Sequence, residues 1–162
     1  MTSVAAQSRS APPTPEPVAR GRLFVALLYL LRVVAALHAL LALSQAFSIG
    51  RYLDGSYPMV RVHGIAAGIV ILSGALLGLL AVLYAVAGGR AWIAVVCVLF
   101  FFAEGFQTGQ GYARALDIHV PLGVVIVALA LLIAVLSWSR AAARRRPPRR
   151  AALAGEGERD AV

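Results

Sequence analysis

The chain has a single cysteine, no lysine and only seven acidic residues. Cys97 alone excludes an intramolecular disulfide and any metal motif built from cysteine pairs. Its place inside an apolar run marks it as a small buried hydrophobe. No serine or cysteine stands with a histidine and an acidic partner in a hydrolase motif, which argues against that class. So few charges also cannot clothe a soluble domain: 60% of the 162 residues are hydrophobic, and the mean hydropathy is +0.83. All fifteen basic residues are arginine, and the net charge of +8 gathers in the C-terminal tail. That placement bears on orientation and gives no sign of a nucleic-acid partner.

What the chain does have is apolar runs of the length that crosses a hydrocarbon core, about 20 residues. The class this predicts is all-α, an integral membrane four-helix bundle running up-down-up-down, with disordered tails. Residues 1–22 read as a proline-rich cytoplasmic tail, 23–138 as the four-span bundle, and 139–162 as an arginine-rich, solvated cytoplasmic tail. The first span proper is placed at about 31–49, with Arg32 snorkelling at the inner interface. Ser44-Gln45-Ala46 offers the small residues of a signal-peptidase site, but the long tail ahead of it favours an uncleaved span. Spans two to four begin near Met59, Ala91 and Leu116, and the third fades into the glycine- and glutamine-rich stretch EGFQTGQGY. Arginines near the span ends put both termini in the cytoplasm of a bacterial cell and leave Arg51, Arg61 and Arg114 on the other side.

By that topology His63 and His119 open spans two and four at the same depth of the same leaflet. Two imidazoles facing each other across a bundle complete the axial set of a heme iron, because the porphyrin supplies the other four ligands. A bare zinc site would want three or four protein ligands, and few carboxylates are at hand. Gly64 and Gly68 follow His63, and Gly123 follows His119. Such glycines suit close helix packing, and they equally leave room for a porphyrin face. Arg61 and Arg114 would meet heme propionates, or else lipid headgroups. Gln107 and Glu104, three apart on one helix face, would orient a ligating imidazole or cap a fraying helix end beside water. His38 lies deep in span one, where a lone histidine bonds to a neighbouring helix; with no fourth histidine, a second bis-histidine heme is excluded. Asp117 and Pro121 read as a helix start, the proline in the first turn.

A faint internal repeat runs through the same residues. Gln45 to His63 and Gln107 to His119 each pass glutamine, glycine, tyrosine, Leu-Asp and histidine in order. This arrangement, with Leu-Asp-Ile-His-Val-Pro-Leu-Gly at 116–123, resembles a family of small four-span bacterial membrane proteins. It is similar to one half of heme A synthase and, more distantly, to bis-histidine cytochromes of the b type, over about residues 31–138. The resemblance implies a heme b between His63 and His119. Heme A synthase has a glutamate one turn before a ligating histidine; Met59 and Ala115 stand there in this chain, so its catalysis does not carry over. Two functions follow as expectations. One is a heme-binding protein that transfers electrons with a membrane redox partner or handles heme. The other is a cofactor-free structural or accessory protein in the lipid bilayer. Neither sets an oligomeric state.

Overall fold

The computed structural model describes residues 16–146, with side chains from residue 21 onward. The expected disorder of residues 1–15 and 147–162 lies outside the described residues. Within them the chain is helical, without strands: α1 Glu16–Leu53, α2 Met59–Val86, α3 Ala91–Tyr112, α4 Leu116–Ser137 and the short α5 Arg140–Ala143. Each of the first four is long and apolar enough to cross a membrane.

Helix α1 begins earlier than the boundary at residue 22. Pro17 stands in its first turn, where the missing N–H is harmless, and no proline follows before Leu53. At 1.5 Å per residue its 38 residues extend about 57 Å, well beyond a hydrocarbon core of about 30 Å. Two helices stop on the same device. Gly88, at φ +104, ends α2: its N–H reaches Ala85 O and that of Gly89 reaches Tyr84 O. Helix α3 ends identically, with Arg114 N–H to Gly111 O and Ala115 N–H to Gln110 O. There the left-handed residue is Arg114, at φ 59, where glycine is usual. Helix α4 starts at Leu116, so Pro121 falls in its second turn rather than its first. The proline therefore removes a bond that an interior residue would have made to the Asp117 carbonyl.

The four helices pack as a closed ring in which α1 faces α3 and α2 faces α4 across the centre. Contacts fall at three levels. At one end, late α1 and late α3 meet early α2 and early α4. At mid-height His38 of α1 meets Ser73 of α2 and Glu104 of α3. At the other end Arg32 of α1 donates to the Ser137 carbonyl of α4 at 3.0 Å. Arg32 is buried there, its guanidinium 4.9 Å from the Trp138 ring centre, and does not snorkel to an interface as expected. A cation at the C-terminal end of α4 complements the carbonyls that the helix leaves unpaired.

The outer surface differs from that of a soluble bundle, and a few polar groups join an otherwise apolar interior. Leu72, Val124 and Val135 lie outward and exposed, while Arg32, His38, Glu104 and Ser137 are interior. Polar groups turned inward behind an apolar surface are what a lipid environment selects.

The segment after α4 also departs from a solvated tail. Ser139 caps α5, Ala142 is wholly buried, and Tyr84 donates its hydroxyl to the Ala142 carbonyl at 2.7 Å. Arg145 and Arg146 then reach the carbonyls of Ala87 and Ala85 at the end of α2.

Candidate functional site

His63 stands on the second turn of α2 and His119 on the first turn of α4, at the same end of the ring. Their ring centres are 6.2 Å apart and their planes 77° to each other. Each ring is tied back to the helix preceding its own. His63 Nδ1 is 3.2 Å from the carbonyl oxygen of Gln45, and His119 Nδ1 is 2.9 Å from that of Gln107. The two glutamines are the ones that open the faint sequence repeat, so the repeat has a structural counterpart in these paired hydrogen bonds.

These contacts fix the tautomers. A carbonyl oxygen only accepts, so Nδ1 carries the proton in both rings and donates. Nε2 is then left with its lone pair, the form in which imidazole binds a metal. Ser48 reinforces the arrangement at His63. Its hydroxyl donates to Gln45 O at 2.9 Å, leaving its oxygen to accept from His63 Nδ1 at 3.1 Å. At His119 the side-chain amide of Gln107 lies 3.1 Å from Nδ1 and 3.5 Å from Nε2. It cannot donate to a nitrogen that already carries a proton, and 3.5 Å is long for a bond to the other. Gln107 thus positions His119 through its backbone carbonyl.

The glycines divide into two groups. Nothing lies within 4 Å of a β-carbon built on Gly64 or Gly68, so the close-packing explanation does not apply to them. Gly74 and Gly78, lower on α2, do pack: against the Glu104 carboxylate and against the backbone at Cys97 and Val98. Gly123 makes room for the Gln107 amide, 3.1 Å from where its β-carbon would be. Gly111, the glycine of the second copy of the repeat, lies under the His119 ring. Arg61 and Arg114 are exposed at this same end.

Glu104 corrects both expectations made for it. It neither orients His119 nor caps a fraying end, because α3 continues through the glycines to Tyr112 and leaves Glu104 two turns inside. Its carboxylate is buried against His38. Among the described residues no three His, Cys, Asp or Glu side chains gather into a metal-binding group. The paired histidines stand without a third such side chain beside them. Comparison with family models, curated proteins and solved structures finds no match for the chain.

Proposed function

We propose that the protein is a multi-pass protein of the bacterial cell membrane, its four spans running up-down-up-down with both termini cytoplasmic. In this reading it holds one heme b between His63 and His119 and serves electron transfer with a membrane redox partner, or heme handling. The observation that carries it is the pair of Nδ1-tethered imidazoles at 6.2 Å. The two rings would hold the iron of one heme between them, each through the Nε2 left unprotonated. The hydrogen bonds from Nδ1 to carbonyl oxygens are the outer-shell support that metal-bound histidines ordinarily have. Gly64 and Gly68, which follow His63 on α2, have open space where a β-carbon would stand. Arg61 and Arg114 offer cations to propionates, and Arg114 is held in a left-handed conformation costly for a residue with a β-carbon. A heme held by both His63 and His119 would supply one-electron transfer. The resemblance to one half of heme A synthase agrees with this reading without its catalytic glutamate.

The competing reading, a cofactor-free accessory protein, is favoured by one observation. Two aromatic rings packed edge to face directly also fall in this range of separation. The two separate in a reduced-minus-oxidised visible spectrum of protein purified from heme-supplied cells. Sharp bands that vanish in His63→Ala and His119→Ala support the heme site; a featureless spectrum from folded protein overturns it.

A further inference from the structure

One turn below Gln107 the bundle buries an acid and a base that axial ligation does not use. Glu104 Oε1 lies 2.8 Å from His38 Nε2, with side chains 1% and 0% exposed. The approach is close but falls outside hydrogen-bond angles, and Glu104 Oε2 has no protein partner either. Oε2 packs on the α-carbon of Gly74, a contact that any β-carbon there would abolish. The far side of His38 is fixed more tightly. Ser73 donates its hydroxyl to Val70 O at 2.9 Å, so its oxygen accepts from His38 Nδ1 at 2.8 Å. With Nδ1 protonated, Nε2 keeps its lone pair, and Glu104 Oε2 is left without a hydrogen-bond partner, open to a proton.

The surroundings add little charge. From α1 comes Arg32, six residues away and engaged with the Ser137 carbonyl. From α2 come Ser73 and Gly74, with His63 three turns off. Helix α3 adds the Cys97 thiol two turns towards the other end, and α4 presents Ile126 and Ala130, with His119 above them. Among the described residues, His38 and Glu104 are thus the groups that set the charge of this layer. An electron arriving at the paired histidines nearby acts through a medium of low dielectric constant, where its field is strong.

We propose that His38 and Glu104 form a redox-linked proton-binding site. The pair takes up one proton, on Glu104 Oε2, when the paired-histidine site gains one electron, and gives it up on reoxidation. The electron comes from an external one-electron reductant and the proton from the aqueous phase, so the net buried charge is unchanged. The inference rests on the heme reading and makes the protein a proton-coupled carrier rather than a plain electron relay.

The test is a redox titration of the full-length protein in lipid nanodiscs, with dithionite as reductant, at a series of pH values. The wild-type midpoint potential is expected to fall with rising pH by up to about 59 mV per unit, the value of a tenfold change for one electron. Glu104→Gln is expected to keep the absorption bands and lose the slope. The wild-type infrared difference spectrum between the two redox states is expected to show a carboxylic-acid carbonyl band, shifted in D2O and absent in Glu104→Gln. A flat wild-type potential, or a slope unchanged in Glu104→Gln, overturns the proposal while the absorption bands keep the heme reading intact. No bands in the wild type overturn both. If Glu104→Gln does not fold, the wild-type infrared spectrum decides, and lack of a D2O-sensitive carboxyl band overturns the proposal.

Discussion

Gly111 of α3 lies directly against the His119 ring of α4: a β-carbon there would come within 2.6 Å of Cε1 and 2.9 Å of Nδ1. Neither group can yield cheaply, because the ring is held by the Gln107 carbonyl and Gly111 O accepts the helix-terminating bond from Arg114. If the pair holds heme as proposed, Gly111→Ala is expected to turn the imidazole away and lower bound heme by about 10–100-fold, the range that lost outer-shell order costs a metal site. Gly109→Ala, with nothing within 4 Å, is the matched control. The readout is heme per protein after identical purification. Wild-type loading in Gly111→Ala would show that His119 does not bind the iron.

Ser48 gives a graded version of the same test. Its hydroxyl shares the Nδ1 proton of His63 with the Gln45 carbonyl, so removing it leaves one acceptor in place. If the pair holds heme as proposed, Ser48→Ala is expected to keep the bis-histidine bands but weaken heme retention about tenfold. The measurement is transfer of heme to a soluble acceptor protein over time. Transfer at the wild-type rate would remove Ser48 from the support of His63.

How much of this was legible in the sequence depended on what periodicity and parity can carry. Four helices follow from four apolar runs separated by Gly-Ser-Tyr-Pro, Gly-Gly-Arg and Ala-Arg-Ala. The meeting of His63 and His119 follows from counting spans, since both open even-numbered ones. The His38–Glu104 pair did not follow, because α3 seemed to fade at EGFQTGQGY. A glycine inside a helix costs only about 1 kcal/mol relative to alanine, so the helix runs on through these glycines to Tyr112 and carries Glu104 inward. Nothing in the sequence distinguishes Gly74 from the other glycines of α2, and only the structure shows that it faces a carboxylate. The docking of residues 140–146 was hidden for another reason: an arginine run reads as solvated, and its acceptors are main-chain carbonyls that leave no mark on a sequence.

Gly74 and Gly68 lie on the same helix and are predicted to respond oppositely to one methyl group. At Gly74 the added carbon collides with the buried Glu104 carboxylate; at Gly68 it meets open space. Gly74→Ala is expected to cost about 1–3 kcal/mol, as overpacking of a filled core does. Gly68→Ala is expected to be neutral or slightly stabilising, through helix propensity alone. Thermal unfolding in one detergent compares them. Equal midpoints for the two variants would contradict the placement of Glu104 against α2.

The last prediction concerns the end of the bundle remote from the histidines. Tyr84 is completely buried, and its hydroxyl has the Ala142 carbonyl as its partner. Around it Arg146 N–H reaches Gly88 O at 2.8 Å, and two arginine side chains reach Ala87 O and Ala85 O. Those carbonyls belong to the last turn of α2 and the turn after it, where groups lack partners within the helix. Cutting the chain after Ser139 removes all these partners and leaves a buried phenol unsatisfied, at about 1–3 kcal/mol for that group alone. Cutting after Arg146 keeps every one of these contacts. The first truncation is therefore expected to unfold about 5 °C or more below the second. Tyr84→Phe should recover part of the deficit in the shorter chain, because it removes the unsatisfied donor, while lowering stability by about 1 kcal/mol in the full-length chain. If both truncations unfold at the same temperature, residues 140–146 are a solvated tail after all, and the Tyr84 contact holds nothing in place.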